Sequence, residues 1–301
     1  MRIEIGNVGN RGTILIAVLF LAGLLGTFAA VATMSLNAGA DATRSFAEAM
    51  RAEEAMRGAI EQVEGYSGGV GPPHSGVTVI TLAQTTVAMS FQDEISRIDL
   101  NEAPPELLQG IFRVAGVEAD EARTYAARIV DWRDADDKVS QGGGAEMAAY
   151  RAAGRLDGPR NGPFQHVAEL ALVLGLPARV AAAVAPYVTV ASSNDKINPL
   201  LADPPVLLAI PGIKQDRILP FLQERQTANM TIKDVLFRLG DIEDYVTVDN
   251  SKAVRLTSVV KFGGRNERRF EAVVTTMPGD TEPYRILAWN TNPPARVREL
   301  H

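Results

Sequence analysis

Four closely spaced carboxylates, Asp131, Asp134, Asp136 and Asp137, are the side chains best arranged for chemistry. Hard oxygen ligands at near-alternate positions of a loop are what calcium requires, which makes Asp134, Asp136 and Asp137 candidate calcium ligands. Arg133 and Lys138 sit among them, and no complete EF-hand loop is present. A solvated helix end with an aspartate cap is therefore the competing reading. Other chemistries lack their parts. The sequence has no cysteine, which removes disulfides, zinc–thiolate sites and cysteine nucleophiles. Its three histidines, His74, His166 and His301, are too scattered for a catalytic or metal cluster. No nucleophile–base pairing and no glycine-rich phosphate loop can be named, so no enzyme is expected.

A second candidate chemistry is phosphate binding by turn amides. Ala103-Pro104-Pro105-Glu106-Leu107-Leu108 recurs as Ala202-Asp203-Pro204-Pro205-Val206-Leu207-Leu208, with Ile98 and Ile197 ahead of the two copies at similar distances. The prolines suit the first turn of a helix, where no amide hydrogen bond is lost. Each predicted helix is soon followed by a glycine and an aliphatic residue, Gly116-Val117 or Gly212-Ile213, and Ile210-Pro211-Gly212-Ile213 resembles a helix-hairpin-helix turn. Such turns can hold DNA phosphates. Between Leu200 and Gly240, however, Lys214, Arg217, Arg225, Lys233 and Arg238 are balanced by Asp203, Asp216, Glu224 and Asp234. The whole chain carries 36 acidic against 30 basic residues, a net charge of -6. No basic stripe emerges, and no nucleic-acid partner is expected.

The elements that would position these residues begin with a long helix. After Arg11 no charge occurs until Asp41, and Thr13–Met34 is apolar almost throughout. That length suffices to cross a hydrocarbon core of about 30 Å. A cleaved secretory signal, with Ala38-Gly39-Ala40 as its small-residue site, is the alternative, but its apolar core should be only about 7–15 residues. From Asp41 to Glu64 no proline intervenes, and Phe46, Met50, Met56, Ile60 and Val63 recur at helical spacing. Membrane span and amphipathic continuation together predict one rod of roughly 80 Å. Val77–Leu82 and Thr86–Phe91 read as paired strands, and Val254–Phe262, Arg268–Thr276 and Tyr284–Trp289 as three more. Gly263–Asn266 and Pro278–Asp280 supply turn chemistry between the latter. The expected fold is α+β: a long N-terminal helix on an antiparallel sheet, with a large all-α region inserted between the two strand groups. The expected divisions are 1–12 leader, 13–64 helix, 65–100 first part of the sheet, 101–240 inserted helical domain with helix-hairpin-helix-like repeats, and 241–301 the rest of the sheet and a tail.

A short basic leader, Arg11-Gly12 directly before Thr13-Ile14-Leu15, and a long amphipathic continuation resemble a type IV pilin or pseudopilin. The central segment narrows the resemblance. Ile129-Val130-Asp131-Trp132-Arg133-Asp134-Ala135-Asp136, then Gly144-Ala145-Glu146 with Tyr150, Asn161-Gly162-Pro163-Phe164, Glu169-Leu170, Gly175 and Pro186–Val190 are similar, in order and spacing, to the minor pseudopilin K family of type II secretion. The resemblance implies cleavage between Gly12 and Thr13 by a prepilin peptidase. It also implies calcium in the helical domain. Further, it implies a non-enzymatic subunit at the tip of the pseudopilus, with pseudopilins I and J and the remaining subunits as partners and secretin or secreted cargo above. The chain would be a single-pass inner-membrane protein with its globular part in the periplasm. Most pilin-type chains carry glutamate at the fifth mature position, and here that position is Ala17. A buried carboxylate there costs about 2.5–3.5 kcal/mol unless a neighbour's amine pairs with it, and a tip subunit has no neighbour ahead. The rival function is a membrane-anchored DNA-binding or DNA-uptake protein built on the hairpin repeats.

Overall fold

The computed structural model describes residues 10–66, 72–83, 85–226, 230–262, 266–277, 284–291 and 293. Most of the leader, most of the glycine run after Tyr66, the turns 263–265 and 278–283, and the tail from 294 lie outside them. The chain divides into two compact units, Met1–Ala55 and Met56–His301.

A single helix, α1 (Asn10–Tyr66), runs for 57 residues. Within the first unit its segment Ile14–Met34 is 21 residues long with a mean hydropathy of 2.7, and none of it is buried. At about 1.5 Å per residue this segment matches the thickness of a bilayer core. Its hydroxyls stay paired: Thr27 Oγ donates to the Leu24 carbonyl and Thr33 Oγ to the Ala29 carbonyl, each at 2.8 Å. A polar group in an apolar span needs such internal satisfaction.

In the second unit, Met56, Ala59, Ile60 and Val63 form the buried stripe of α1's last turns. They recur at the i, i+3, i+4, i+7 spacing of one helix face. Their counter-surface is a five-stranded antiparallel sheet. β1 (Ser75–Leu82) and β2 (Thr85–Asp93) form the hairpin expected from the sequence. Far along the chain come the remaining strands of this sheet, Ala253–Phe262, Asn266–Thr276 and Tyr284–Asn290. Two short strands intervene, β3 (Ile98–Asp99) and β4 (Val188–Thr189), which pair with each other in parallel, so the later three are β5, β6 and β7. The order is β1-β2-β5-β6-β7. Register sets Val87, Met89 and Phe91 of β2 beside Val260, Ser258 and Leu256 of β5, all buried. Met56 of α1 reaches this face, where Ser258 Oγ lies 2.8 Å from its sulfur. At the opposite edge the Arg57 guanidinium stacks 4.7 Å over the Trp289 ring.

Between β2 and β5 lie all the remaining helices among the described residues: α2 (Pro105–Val114), α3 (Ala119–Arg133), α4 (Met147–Ala152), α5 (Ala178–Val184), α6 (Pro204–Leu208), α7 (Ile218–Glu224) and α8 (Ile232–Leu239). They share one core that includes Leu107, Leu108, Phe112, Trp132, Tyr150, Phe164, Val206, Leu207, Phe221 and Leu239. The internal repeat of the sequence is visible as a repeat of contacts. Ile98 pairs in parallel with Val188, and Ile197 with Val246. The next residue in each copy, Asp99 or Asn198, accepts through its side chain from the amide two residues on, at Asn101 or Leu200. Its carbonyl accepts from Ala103 or Ala202. In the first copy Arg133 closes the unit by donating to the carbonyls of Leu100 and Ala103, and in the second Arg225 donates to those of Pro199 and Ala202.

The copies are not alike throughout. α2 and α3 form a helical hairpin whose turn uses Gly116 at φ +83. In the second copy α6 has five residues, and after Gly212 (φ +75) a short 3-10 turn, Gln215–Arg217, precedes α7. The two copies touch where Gly110 of α2 meets the end of α6, and a Cβ at Gly110 would overlap the Ala209 carbonyl oxygen.

This contact yields a prediction. Gly110→Ala should lower stability by about 1–3 kcal/mol, the usual penalty of overpacking against immobile backbone. Gly162→Ala, where a Cβ meets nothing within 4 Å, is the control. Urea unfolding of both variants checks it, and equal midpoints would contradict the packing described.

Candidate functional site

The acidic cluster forms where α3 ends. Asp131 is fully buried on the last turn of α3, and Asp134 is the C-cap, its amide donating to the Val130 carbonyl at 3.0 Å. A helix C-terminus already carries partial negative charge, so it offers a carboxylate no help. Arg133, the cation among these acids, is turned away to the Leu100 and Ala103 carbonyls at 2.7 and 2.9 Å.

The chain beyond then loops out and returns. Asp131 Oδ1 accepts from the Ser140 amide at 3.0 Å, which fastens the loop to the helix. Gly142 and Gly143 adopt φ near +100, where a side chain would be strained. At Gly144 a Cβ would overlap Asp131 Oδ2, so only glycine lets the backbone pass this close. Two residues later Glu146 arrives, 5% exposed.

Asp131 Oδ2, Asp134 Oδ1 and both oxygens of Glu146 are buried and have no hydrogen-bond partner among the described residues. Burial, with the charges of Asp131, Asp134, Asp137 and Asp136 added, pushes the Glu146 carboxyl up to about 7. Burial and the neighbouring Asp131 and Asp136 also raise Asp134. Unpaired buried carboxylate oxygens cost stability, and a cation is the group that would reverse that cost.

Of the candidate ligands, only Asp134 points its carboxylate into this pocket without a partner. Asp136 is exposed and its Oδ1 accepts from the Lys138 amide at 2.7 Å. Asp137 is exposed as well, with its Oδ1 3.4 Å from Asn161 Nδ2. Both stand near enough to act on Glu146 through their charge alone. Asp131 and Glu146 take the inner positions. Among the described residues, no three acidic or histidine side chains already stand as a finished metal-holding group. Asp131, Asp134 and Glu146 nevertheless supply unpartnered carboxylate oxygens, the donor type a hard cation takes.

The first hairpin turn has its amides engaged, and the second has two of them engaged. Ala115, Gly116 and Val117 donate to the carbonyls of Ile111, Arg113 and Phe112. In the second turn Ile213 donates to Ile210 and Lys214 to Leu239. Amides spent on closing a helix end are not on offer to a phosphate. At the N-terminus, Gly12 and Thr13 lie within α1 as the helix begins, one turn before the apolar span.

Comparison with known proteins agrees with the pattern of residues read from the sequence. The family model of type II secretion system protein K, first domain, matches residues 87–193. That stretch holds most of β2, α2 to α5 and the whole acidic pocket. A solved structure, the GspK-GspI-GspJ complex from the enterotoxigenic Escherichia coli type 2 secretion system, contains a chain with a similar fold. The likeness has a TM-score of 0.58 at 17% identity, and it covers 84% of this chain and 98% of that one. No curated protein matches the sequence significantly. The resemblance to protein K of type II secretion thus holds.

The pocket predicts an inverted acid response. A carboxyl whose pKa the fold raises from 4.5 to about 7 favours the protonated native state. Its contribution is present below about 4.5 and is lost as pH climbs through about 7. In chelator, the melting temperature of the full chain in detergent should fall between pH 5 and 8. Glu146→Gln should flatten that fall. Parallel curves for the two proteins would contradict the assignment.

Proposed function

We propose that this chain is a minor pseudopilin at the tip of a type II secretion pseudopilus, assembled with pseudopilins I and J for export of folded proteins across the outer membrane. The observation that carries the reading is α1. One unbroken helix holds a bilayer-length apolar span and ends in a buried stripe on an antiparallel sheet, which is the pilin plan. The protein K match over residues 87–193 and the fold shared with a chain of the GspK-GspI-GspJ complex support it. Its work is assembly and not catalysis. The helix is an inner-membrane anchor, with the head in the periplasm, and a prepilin peptidase cuts between Gly12 and Thr13.

Two features favour the tip over the body of the fibre. Ala17 supplies no carboxylate for a neighbour's terminal amine, and a subunit with nobody ahead needs none. The helices between β2 and β5 enlarge the head, and a head so enlarged would block another like it from following in the same helical array. We assign calcium to the acidic pocket. Asp131, Asp134 and Glu146 would hold it, with Asp136 and Asp137 adding negative charge around it. A bound ion would supply charge neutralisation between the end of α3 and the returning loop. The DNA-uptake reading has less support, because the amides of the first hairpin turn are engaged within the protein and the sequence carries no basic stripe.

Two experiments test this. Co-expression with pseudopilins I and J, followed by native mass spectrometry and N-terminal sequencing, should show one copy of each subunit and a chain beginning Thr-Ile-Leu-Ile. A start near Asp41, or a fibre of this chain alone, would sink the reading. For the ion, millimolar calcium at pH 8 should raise the melting temperature, because a ligand bound only by the native state stabilises it. Asp131→Asn and Glu146→Gln should each abolish most of the rise. A wild-type protein indifferent to calcium would remove the ion from the proposal.

A further inference from the structure

The two edges of the five-stranded sheet are built differently. β7 carries Arg285, and its pairing with β6 is broken by a register shift between Val273 and Val274. Charges and irregular pairing are the usual means by which an edge strand avoids joining other strands. β1 has neither. Its eight residues, Ser75–Leu82, pair with β2 in unbroken register, and among the described strands nothing pairs with its other side. From Ser75 to Gln92, which is the β1–β2 hairpin up to its last residue Asp93, there is no charged residue and no proline.

The side chains reinforce this. Val77 and Val79 are 61% and 63% exposed, on the face opposite the buried Ile80. Across the sheet, Val77 is followed by Ser90 and Thr257, and Val79 by Ala88 and Val259. The first charges along those rows are Glu271 and Arg269 on β6, about 14 Å from β1 at the usual strand spacing. The flanking rows of Ser75 and Thr81 reach Arg255 and Lys261 on β5, so a charged partner side chain laid against Val77 and Val79 would lose water with no counter-charge beside it. The free backbone groups of a straight edge select an extended chain, and the uncharged rows select uncharged residues upon it.

We propose that β1 is a docking edge, which accepts an extended, uncharged strand from a partner pseudopilin's sheet by backbone pairing along Ser75–Leu82. This rests on the reading of the chain as a minor pseudopilin. β-Branched residues of the incoming strand cover Val77 and Val79, and the partner's sheet continues this one.

Val79→Lys tests it in the full-length chain, co-purified in detergent with pseudopilins I and J. Its side chain is exposed, so the isolated variant should melt as the unaltered chain does. Recovery of the complex should drop on the order of tenfold or more, as expected for an unpaired charge trapped in an interface. Leu287→Lys, on the other edge, should leave recovery unchanged. A photo-crosslinking residue at position 79 should link to a strand of pseudopilin I or J, identified by peptide mass spectrometry. Undiminished recovery with Val79→Lys, or links only to a second copy of this chain, overturns the docking edge and leaves the pseudopilin reading intact. If the unaltered chain recovers neither I nor J, both fall together.

Discussion

The fold depends on closing a very long loop at one buried carboxylate. β2 and β5 are neighbours in the sheet, yet all of α2 to α8 lies between them in sequence. Asp93, at the end of β2 and fully buried, accepts from the Ile95 amide and from both the amide and the hydroxyl of Ser251, 158 positions away. His74 Nδ1 lies 2.6 Å from its other oxygen. The next residue repeats the device with charge. Glu94 is buried, which alone would raise its pKa, but Arg255 of β5 at 2.7 Å and nearby Arg97 hold it below the usual carboxylate range. Arg255 in turn bridges to Glu271 of β6. Loop closure costs entropy that grows only slowly with length, so a few strong contacts at the base can hold a large insertion. Removing one partner would be severe, since the other charge would remain buried and unpaired.

Much of this architecture was legible in the sequence because it is periodic. The strands alternate, the buried stripe of α1 recurs every three to four residues, and an uncharged run of membrane length needs no tertiary information. The base of the insertion was not legible. Asp93, Glu94, Arg255 and Ser251 show no pattern as letters, and their meaning comes from being adjacent in space across the whole insertion. The same holds for the internal repeat. Its proline–leucine segments are visible in the sequence, but Arg133 and Arg225, which close the two units, act on carbonyls and so require no matching residue type. An arginine that satisfies backbone oxygens looks like any surface arginine until the fold is known. Arg133 was for that reason first counted as a rival cation among the aspartates, whereas it serves the first repeat.

In the acidic cluster, nearness in sequence and nearness in space part company. Asp134, Asp136 and Asp137 stand close in sequence, but the backbone carries the last two outward after the helix ends, and they find partners of their own. The inner positions go to Asp131, one helical turn back, and to Glu146, which returns after a loop of glycines. The signal for that return was present in Gly142, Gly143 and Gly144. A run of glycines beside a carboxylate cluster marks backbone that must turn sharply and pass close, and at Gly144 what it passes is Asp131 itself.

That arrangement ties the stability of the helical segment to the ions around it. Asp131 packs beside Trp132, which stacks on Phe164 at 5.6 Å and lies 6.5 Å from Tyr150, all within the shared core. Repulsion among Asp131, Asp134 and Glu146 therefore acts directly on the helix that carries the core's largest side chain. Protonation of Glu146, whose pKa is raised to about 7, relieves part of that repulsion. The loop is tied back to α3 by the Ser140 amide on Asp131, by Thr124 Oγ1 on the Gly142 carbonyl and by Arg128 Nε on the Gly143 carbonyl, and these contacts work against that repulsion. Among the described residues, the three carboxylates with unpartnered buried oxygens thus lie beside that tryptophan, and the packing of the segment depends on how their charge is met.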